Sequence, residues 1–340
     1  MDKQINLNKY NLRTDIALEE ISNHQTYLTK EYTKNNITVT KIIIDETTQP
    51  LFNKKTGNYI TISFKDITDS NNIENVENIL VEELKKLFKN YNLKKEDNVL
   101  IVGLGNKDST PDALGPKVVD NILVTRHLFL LDEVNEGYQN TSAISLGVTG
   151  TTGIETGEAI KAIVDNIKPK LVIVVDSLAS KVIENLNKTI QITTAGISPG
   201  SGIGNTRKEI SKETLGVDVV AIGVPTVVDS LTIITSTFTY IYKYLAYNIS
   251  GSKKQKLALP NSINYLKEEN IELDEENKKN LLGMIGTLNP KELEKFIKEV
   301  IEPIDMNMIV TPKEVDFTIK KLSNIIGKSI NHSLHRHNIS

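Results

Sequence analysis

Two aspartates stand where the sequence predicts the carboxyl ends of buried strands. Asp112 follows the apolar residues 99–102 and a glycine turn, and Asp176 ends the apolar run 171–176. Open α/β sheets place their active sites outside the carboxyl ends of the strands. Two neighbouring carboxylates cannot both ionise cheaply, so one keeps a proton while the other accepts one from water. Such a pair can activate water against an amide and protonate the leaving nitrogen, without a metal and without a nucleophilic side chain.

Structural interpretations of the same acids stay open. Asp112 follows Thr110 and Pro111, a helix-start signal, so its charge can simply favour the positive end of a helix. Asp176 can begin the next turn, and Asp108 is typical of a loop or capping residue.

Three other chemistries also stay open. A serine mechanism through Ser177 or Ser201 needs a base, and His127 is the only histidine near the predicted sheet. A serine–lysine pair is a further possibility. Asp112 and Asp176 could hold magnesium together with water, although no evident histidine ligand accompanies them.

The glycine turn itself does not fit a nucleotide site. Gly103 and Gly105 lack the third glycine of a dinucleotide fingerprint, and Asp108 and Asp112 would repel a phosphate at that position. No Gly-Lys-Ser/Thr follows, so the P-loop pattern is absent as well.

The elements around the acids alternate between strands and helices. Apolar and β-branched runs predict strands at residues 37–45, 59–64, 99–102, 171–176, 189–194 and 217–225, the first two as a hairpin. Helical spacing predicts helices at residues 75–91, 158–167 and 229–247, and the glycine-rich residues 140–157 and 198–205 are predicted loops. This order predicts an α/β fold: a mostly parallel sheet with helices on both faces. The lysine- and glutamate-rich residues 251–310 are a predicted helical insertion, and residues 311–340 a final helix and tail.

Composition narrows the classes of function. The chain has 340 residues, a net charge of -3 and no cysteine, which excludes disulfides, thiolate metal sites and cysteine nucleophiles. The charge gives no electrostatic case for nucleic acid as a direct partner. No apolar run is long enough to span a bilayer and no secretory signal begins the chain, so we expect a cytoplasmic protein. By composition alone, residues 1–15 are typical of a polar tail.

Seven ordered blocks resemble the germination protease family of spore-forming bacteria, which shares a core with hydrogenase maturation peptidases. They are GLGN from Gly103, TPDALGP from Thr110, TGTTGIETGE from Thr149, VVDSLAS from Val174, ISPGSGIGN from Ile197, AIGVPTVVD from Ala221 and VTPKEVD from Val310. The resemblance covers nearly the whole chain. It implies an endopeptidase of the spore core that degrades small acid-soluble spore proteins during germination, without a cofactor.

The resemblance also assigns roles to residues. It implies that Asp112 and Asp176 are the catalytic pair, and that the enzyme is a self-processing zymogen and a homotetramer. Family substrates are cut before an apolar residue in a context like Glu, Ile or Phe, Ala, Ser, Glu. By that likeness the self-cleavage bond joins Asp15 to Ile16, with Leu18 in place of the small residue. Residues 1–15 then become a propeptide and residues 16–250 the catalytic core. A metal-dependent peptidase that uses the same acids and a non-catalytic binder of spore proteins are the alternatives.

Overall fold

The computed structural model describes residues 14–20, 29–52, 54–200, 208–251, 273–301 and 308–336. These residues form two compact units: residues 14–228 with 311–336, and residues 229–310. Residues 1–13 of the predicted propeptide lie outside the described residues. Both ends of the predicted cleavage bond, Asp15 and Ile16, lie within them.

The described residues contain nine strands and ten α-helices. The strands are β1 (Thr29–Lys34), β2 (Ile37–Ile44), β3 (Gly57–Ser63), β4 (Val99–Gly103), β5 (Thr141–Ser145), β6 (Leu171–Ser180), β7 (Thr189–Thr193), β8 (Asp218–Asp229) and β9 (Ile309–Val310). The helices are α1 (Ser70–Phe88), α2 (Leu114–Val119), α3 (Arg126–Leu130), α4 (Thr149–Thr152), α5 (Thr156–Ile167), α6 (Lys212–Leu215), α7 (Ser230–Gly251), α8 (Glu275–Leu282), α9 (Pro290–Ile301) and α10 (Val315–Leu334).

The larger unit is built on one mixed sheet with the order β1-β2-β3-β7-β8-β6-β4-β5. Strands β8, β6, β4 and β5 are parallel, whereas β1, β2, β3 and β7 pair antiparallel and β7 also pairs antiparallel with β8. The α/β class is therefore confirmed, but the prediction of a mostly parallel sheet is wrong. The predicted hairpin of β2 and β3 joins the sheet through β7, which extends the sheet with an antiparallel half.

Helices cover both faces of the parallel half, as the sequence predicts. In β4 and β6, residues alternate strictly between two buried clusters because successive side chains in a strand point to opposite faces. Val99, Ile101, Leu171 and Ile173 pack with α1, α2 and α10, and Leu100, Val102, Val172 and Val174 pack with α5 and α6. Burial on both faces explains why these strands are continuous apolar runs.

Several elements were missed in the sequence, among them the edge strand β5 and the short helix α3. Residues 140–157 are predicted as a loop, but residues Thr141–Ser145 form β5, the edge strand beside β4. The run Thr-Ser-Ala-Ile-Ser is too polar to mark a strand, and only its pairing with β4 makes it one. Helix α3, at Arg126–Leu130, is one turn long and also carries no clear periodic signal.

The smaller unit is helical in its described residues. Helices α7 and α9 contact each other, and Leu231 packs with the buried residues Leu293, Ile297 and Ile301. Among the residues that the structure describes in both units, no helix is both long enough and apolar enough to cross a membrane.

Candidate active site

Asp112 lies in a single 3-10 turn, Thr110–Asp112, between β4 and α2. Its carboxylate Oδ2 accepts a hydrogen bond of 2.8 Å from the backbone N–H of Asn106. Gly105 has φ +109°, and a Cβ there would lie 1.9 Å from the Asp112 carbonyl oxygen. Only glycine allows the backbone at position 105 to lie this close to the Asp112 carbonyl, so the glycine turn fixes the position of Asp112.

Asp176 lies inside β6 and not at its end, so the prediction that it closes the strand is wrong. Strand β6 continues to Ser180 because it keeps pairing with β8 beyond the point where β4 stops. The last residue of β6 that pairs with β4 is Val175. Asp176 is therefore the first residue beyond β4. Its side chain is 5% exposed, and its Oδ1 accepts a 2.8 Å bond from the Ser177 N–H.

The turn that carries Asp112 is attached to both strands that flank β6. It follows β4 along the chain after the loop of residues 104–109. The Thr226 hydroxyl of β8 donates to the Pro111 carbonyl oxygen at 2.7 Å. Strand β6 lies between β4 and β8 in the sheet, and the turn also contacts β6. The fold thus brings Asp112 and Asp176 to the same end of the same three strands.

A glycine also sets the approach of α2 to these strands. A Cβ on Gly115 would lie 2.3 Å from the Leu104 carbonyl oxygen and 2.5 Å from that of Val175. The Leu104 N–H donates to the same Val175 oxygen at 2.8 Å. Any larger residue at position 115 would push the helix away from the strand ends next to Asp176.

The other candidate residues are not assembled into a second site. The buried Ser177 hydroxyl has no hydrogen-bond partner among the described residues, while His127 is exposed on α3. Asp108 is exposed, and Ser201 lies outside the described residues. In the part of the chain that the structure describes, no three His, Cys, Asp or Glu side chains cluster in a way that could hold a metal ion.

The predicted cleavage bond is held against the sheet by a residue that the sequence analysis missed. Gln191, 4% exposed in β7, donates from Nε2 to the Asp15 carbonyl oxygen at 2.9 Å and accepts from the Ala17 N–H at 2.7 Å. It therefore bridges both sides of the bond. Ile16 and Ala17 are fully buried. The sequence signal that could have identified Gln191 is its position as a polar residue between the two isoleucines of the predicted strand.

Gln191 lies in one cross-strand row with Asp176. It pairs with Gly223 of β8, and Gly223 pairs with Asp176 of β6. Residues directly opposite each other in a sheet point to the same face, and adjacent strands are about 4.8 Å apart. The Asp15–Ile16 bond is thus held on the face to which Asp176 points, and the backbones of Gln191 and Asp176 are about 10 Å apart.

A pocket of about 230 Å³ borders this segment and is lined by Asp15, Lys54, Gln191 and Gly223, among others. The Lys54 ammonium donates to the Thr14 carbonyl oxygen at 2.6 Å. Burial lowers the pKa of Lys54, while the charges of Asp15, Glu20 and Glu19 act in the opposite direction. Lys54 thus adds a positive group next to the residue that precedes the bond.

Comparison with known proteins bears on the whole chain. A family model described as germination protease matches residues 5–339. Proteins named germination protease from Bacillus cereus (strain AH187) and Bacillus mycoides (strain KBAB4) are each 43% identical to the chain over an alignment of 355 positions, which covers 98% of this chain and 96% of theirs. The protein of that name from Bacillus anthracis (strain A0248) is 43% identical over 356 residues, with the same coverage.

Proposed function

The chain belongs to the germination protease family, a family of peptidases, and we propose that it is the endopeptidase that begins the degradation of small acid-soluble spore proteins during germination. We further propose that it acts in the cytoplasm of the spore core as a homotetramer. Neither nucleic acid nor membrane is a direct partner in this proposal, and no cofactor takes part.

Asp112 and Asp176 are the proposed catalytic pair. One observation carries this assignment: the turn of Asp112 is attached to β4 and β8, and Asp176 lies on β6 between them. One carboxylate accepts a proton from water as the water attacks the peptide carbonyl carbon. The other, protonated at the start, donates its proton to the departing nitrogen. The substrate is cut without a covalent enzyme intermediate. The first carboxyl group is then protonated and the second ionised, and transfer of one proton between them through solvent restores the starting state.

The protein is proposed to be made as a zymogen that cuts itself between Asp15 and Ile16. Gln191 holds this bond in the same row as Asp176, which supports cleavage by the same pair. Ile16 is fully buried, so a second molecule reaches the bond only after the segment leaves the sheet. Processing within one molecule needs a shorter movement, and its rate would not depend on protein concentration.

The test of the catalytic pair uses Asp112→Asn and Asp176→Asn, which keep the size of each side chain and remove the titrating group. We expect each substitution to lower kcat on a small acid-soluble spore protein by about 100-fold or more. Asp108→Asn, in the same loop but exposed, is the matched control and should leave kcat unchanged.

Three outcomes reject the proposal or part of it. Wild-type kcat in both asparagine variants excludes the pair. Activity that is lost on chelation and restored by one metal selects a metal-dependent peptidase. Complex formation with the spore protein and no fragments, even from the wild-type chain, selects the non-catalytic binder.

A further inference from the structure

Residues 1–15, the leader, end just before the proposed cleavage bond. Within the leader, the Thr14 hydroxyl links Ile16 to Glu19, two residues that lie after that bond. Thr14 Oγ1 accepts a 3.0 Å hydrogen bond from the Ile16 N–H and donates a 2.5 Å bond to Glu19 Oε2. The distance between the Ile16 nitrogen and Glu19 Oε2 therefore cannot exceed the combined length of these two hydrogen bonds. Thr14 departs with the leader when the Asp15–Ile16 bond is cut.

Glu19 in turn holds the end of the strand that carries Asp176. Its Oε1 accepts from the Ser180 hydroxyl and, at 2.6 Å, from Asn185 Nδ2, and its Oε2 accepts from the Lys181 N–H at 2.8 Å. Ser180 is the last residue of β6, four positions after Asp176. Displacing Glu19 would release this end of the strand.

The donors that surround Glu19 are neutral. They are two hydroxyls, one amide and one backbone N–H, and within the described residues no cation lies within ion-pair distance of its carboxylate. Lys181 pairs with Glu20 at 3.1 Å, and Lys54 binds the Thr14 carbonyl oxygen. The charge of Lys54 acts on Glu19 from beyond ion-pair distance. A partly buried carboxylate with no cation in direct contact is stabilised further by a positive charge that comes within ion-pair distance.

We infer that cleavage itself supplies this charge, and that Glu19 is a positioning residue for the proposed reaction. Hydrolysis adds water across the amide: Asp15 leaves with a carboxylate, and Ile16 keeps the nitrogen, which takes up a proton to become an ammonium. An α-amino group has an ordinary pKa of about 8, so it is charged at neutral pH. The Ile16 ammonium takes the place of the Thr14 hydroxyl and pairs with Glu19. Residues 16–20 then stay in place and keep the end of β6 fixed after the leader has gone.

This inference rests on the proposed self-cleavage, and its test is designed to separate the two. The wild-type chain, Glu19→Gln, Glu19→Asp and the control Glu20→Gln are allowed to process themselves. Mass spectrometry identifies the new amino terminus and then measures how fast cyanate modifies it. A variant that does not process is released with Ile16 at its terminus from a removable fusion, and the wild-type chain released in the same way is its reference.

We expect the Ile16 amine of Glu19→Gln to react about ten times faster than that of the wild type, because the ion pair no longer protects it. Its kcat on the spore protein should fall by a similar factor while KM stays within about twofold, since the pair acts on the position of β6 and not on substrate contacts. Glu19→Asp should recover part of both effects, and Glu20→Gln should behave as the wild type does.

Equal amine reactivity and equal kcat in wild type and Glu19→Gln overturn the inference, even if both cleave the spore protein. A mature terminus other than Ile16 also overturns it and removes the proposed bond, but leaves the peptidase assignment standing. If the processed chains cleave nothing, the proposed function fails, and the amine reactivity still decides whether Glu19 pairs with Ile16.

Discussion

Replacing Gln191 by leucine should destabilise the zymogen more than the processed enzyme. In the zymogen, Gln191 satisfies the Ala17 N–H and the Asp15 carbonyl oxygen, whereas after processing only the Ala17 N–H remains. A buried backbone group without a partner costs about 1–3 kcal/mol. Ala17 is fully buried and should cost about 2 kcal/mol in both forms.

The Asp15 carbonyl should cost less, about 1 kcal/mol, because the residue borders a pocket from which water can replace the lost donor. The free energy of unfolding should therefore fall by about 3 kcal/mol in the zymogen and about 2 kcal/mol in the processed enzyme. Any effect of the leucine side chain itself is common to both forms, so it cancels from the difference of about 1 kcal/mol.

The measurement is urea unfolding followed by circular dichroism. Every protein compared carries Asp112→Asn, which keeps the zymogen form intact, and the processed form is released with Ile16 at its terminus from a removable fusion. Ile192→Val, fully buried in the same strand, is the control and should cost about 1 kcal/mol equally in both forms. An equal loss for Gln191→Leu in the two forms would refute the role of Gln191 as a bridge across the cleavage bond.

Two further predictions concern the packing of α2 beside the site and the effect of acid on the stability of the fold. Gly115→Ala should lower the free energy of unfolding by about 1–3 kcal/mol, because the three atoms nearest to the new Cβ are backbone atoms that cannot rotate away. Gly150→Ala, with nothing within 4 Å of the new Cβ, is the control and should change it by less than about 0.5 kcal/mol in urea unfolding. Hydrogen bonds from Lys86 and Lys34 lower the pKa of Glu82 to about 2, so its contribution to stability is complete above the ordinary pKa of a glutamate and is lost as the pH falls toward 2. Thermal unfolding across that range should therefore depend less on pH in Glu82→Gln than in the wild type; an identical slope would contradict the assignment.

The sequence predicted the parts of the site that depend on neighbouring residues in the chain. The apolar run of β4, the glycine turn and the acid of the following turn occur within residues 99–112, so their local pattern was sufficient. The end of β6 was predicted too early because Asp176 looks like the polar end of an apolar run. The strand continues because β8 offers it partners up to Ser180, and pairing with a distant strand leaves no local pattern.

The error in the sheet direction bears directly on the candidate site. Nothing in the alternation of β7 separates an antiparallel strand from a parallel one, since both bury the same side chains. Because β7 runs antiparallel between β3 and β8, Gln191 comes opposite Gly223 and so into the row of Asp176. A strand inserted with a register shifted by one residue would turn Gln191 to the other face. The segment would then lose the side chain that hydrogen-bonds both Asp15 and Ala17, on either side of the Asp15–Ile16 bond. The antiparallel insertion is therefore what connects the proposed zymogen bond to the proposed catalytic pair.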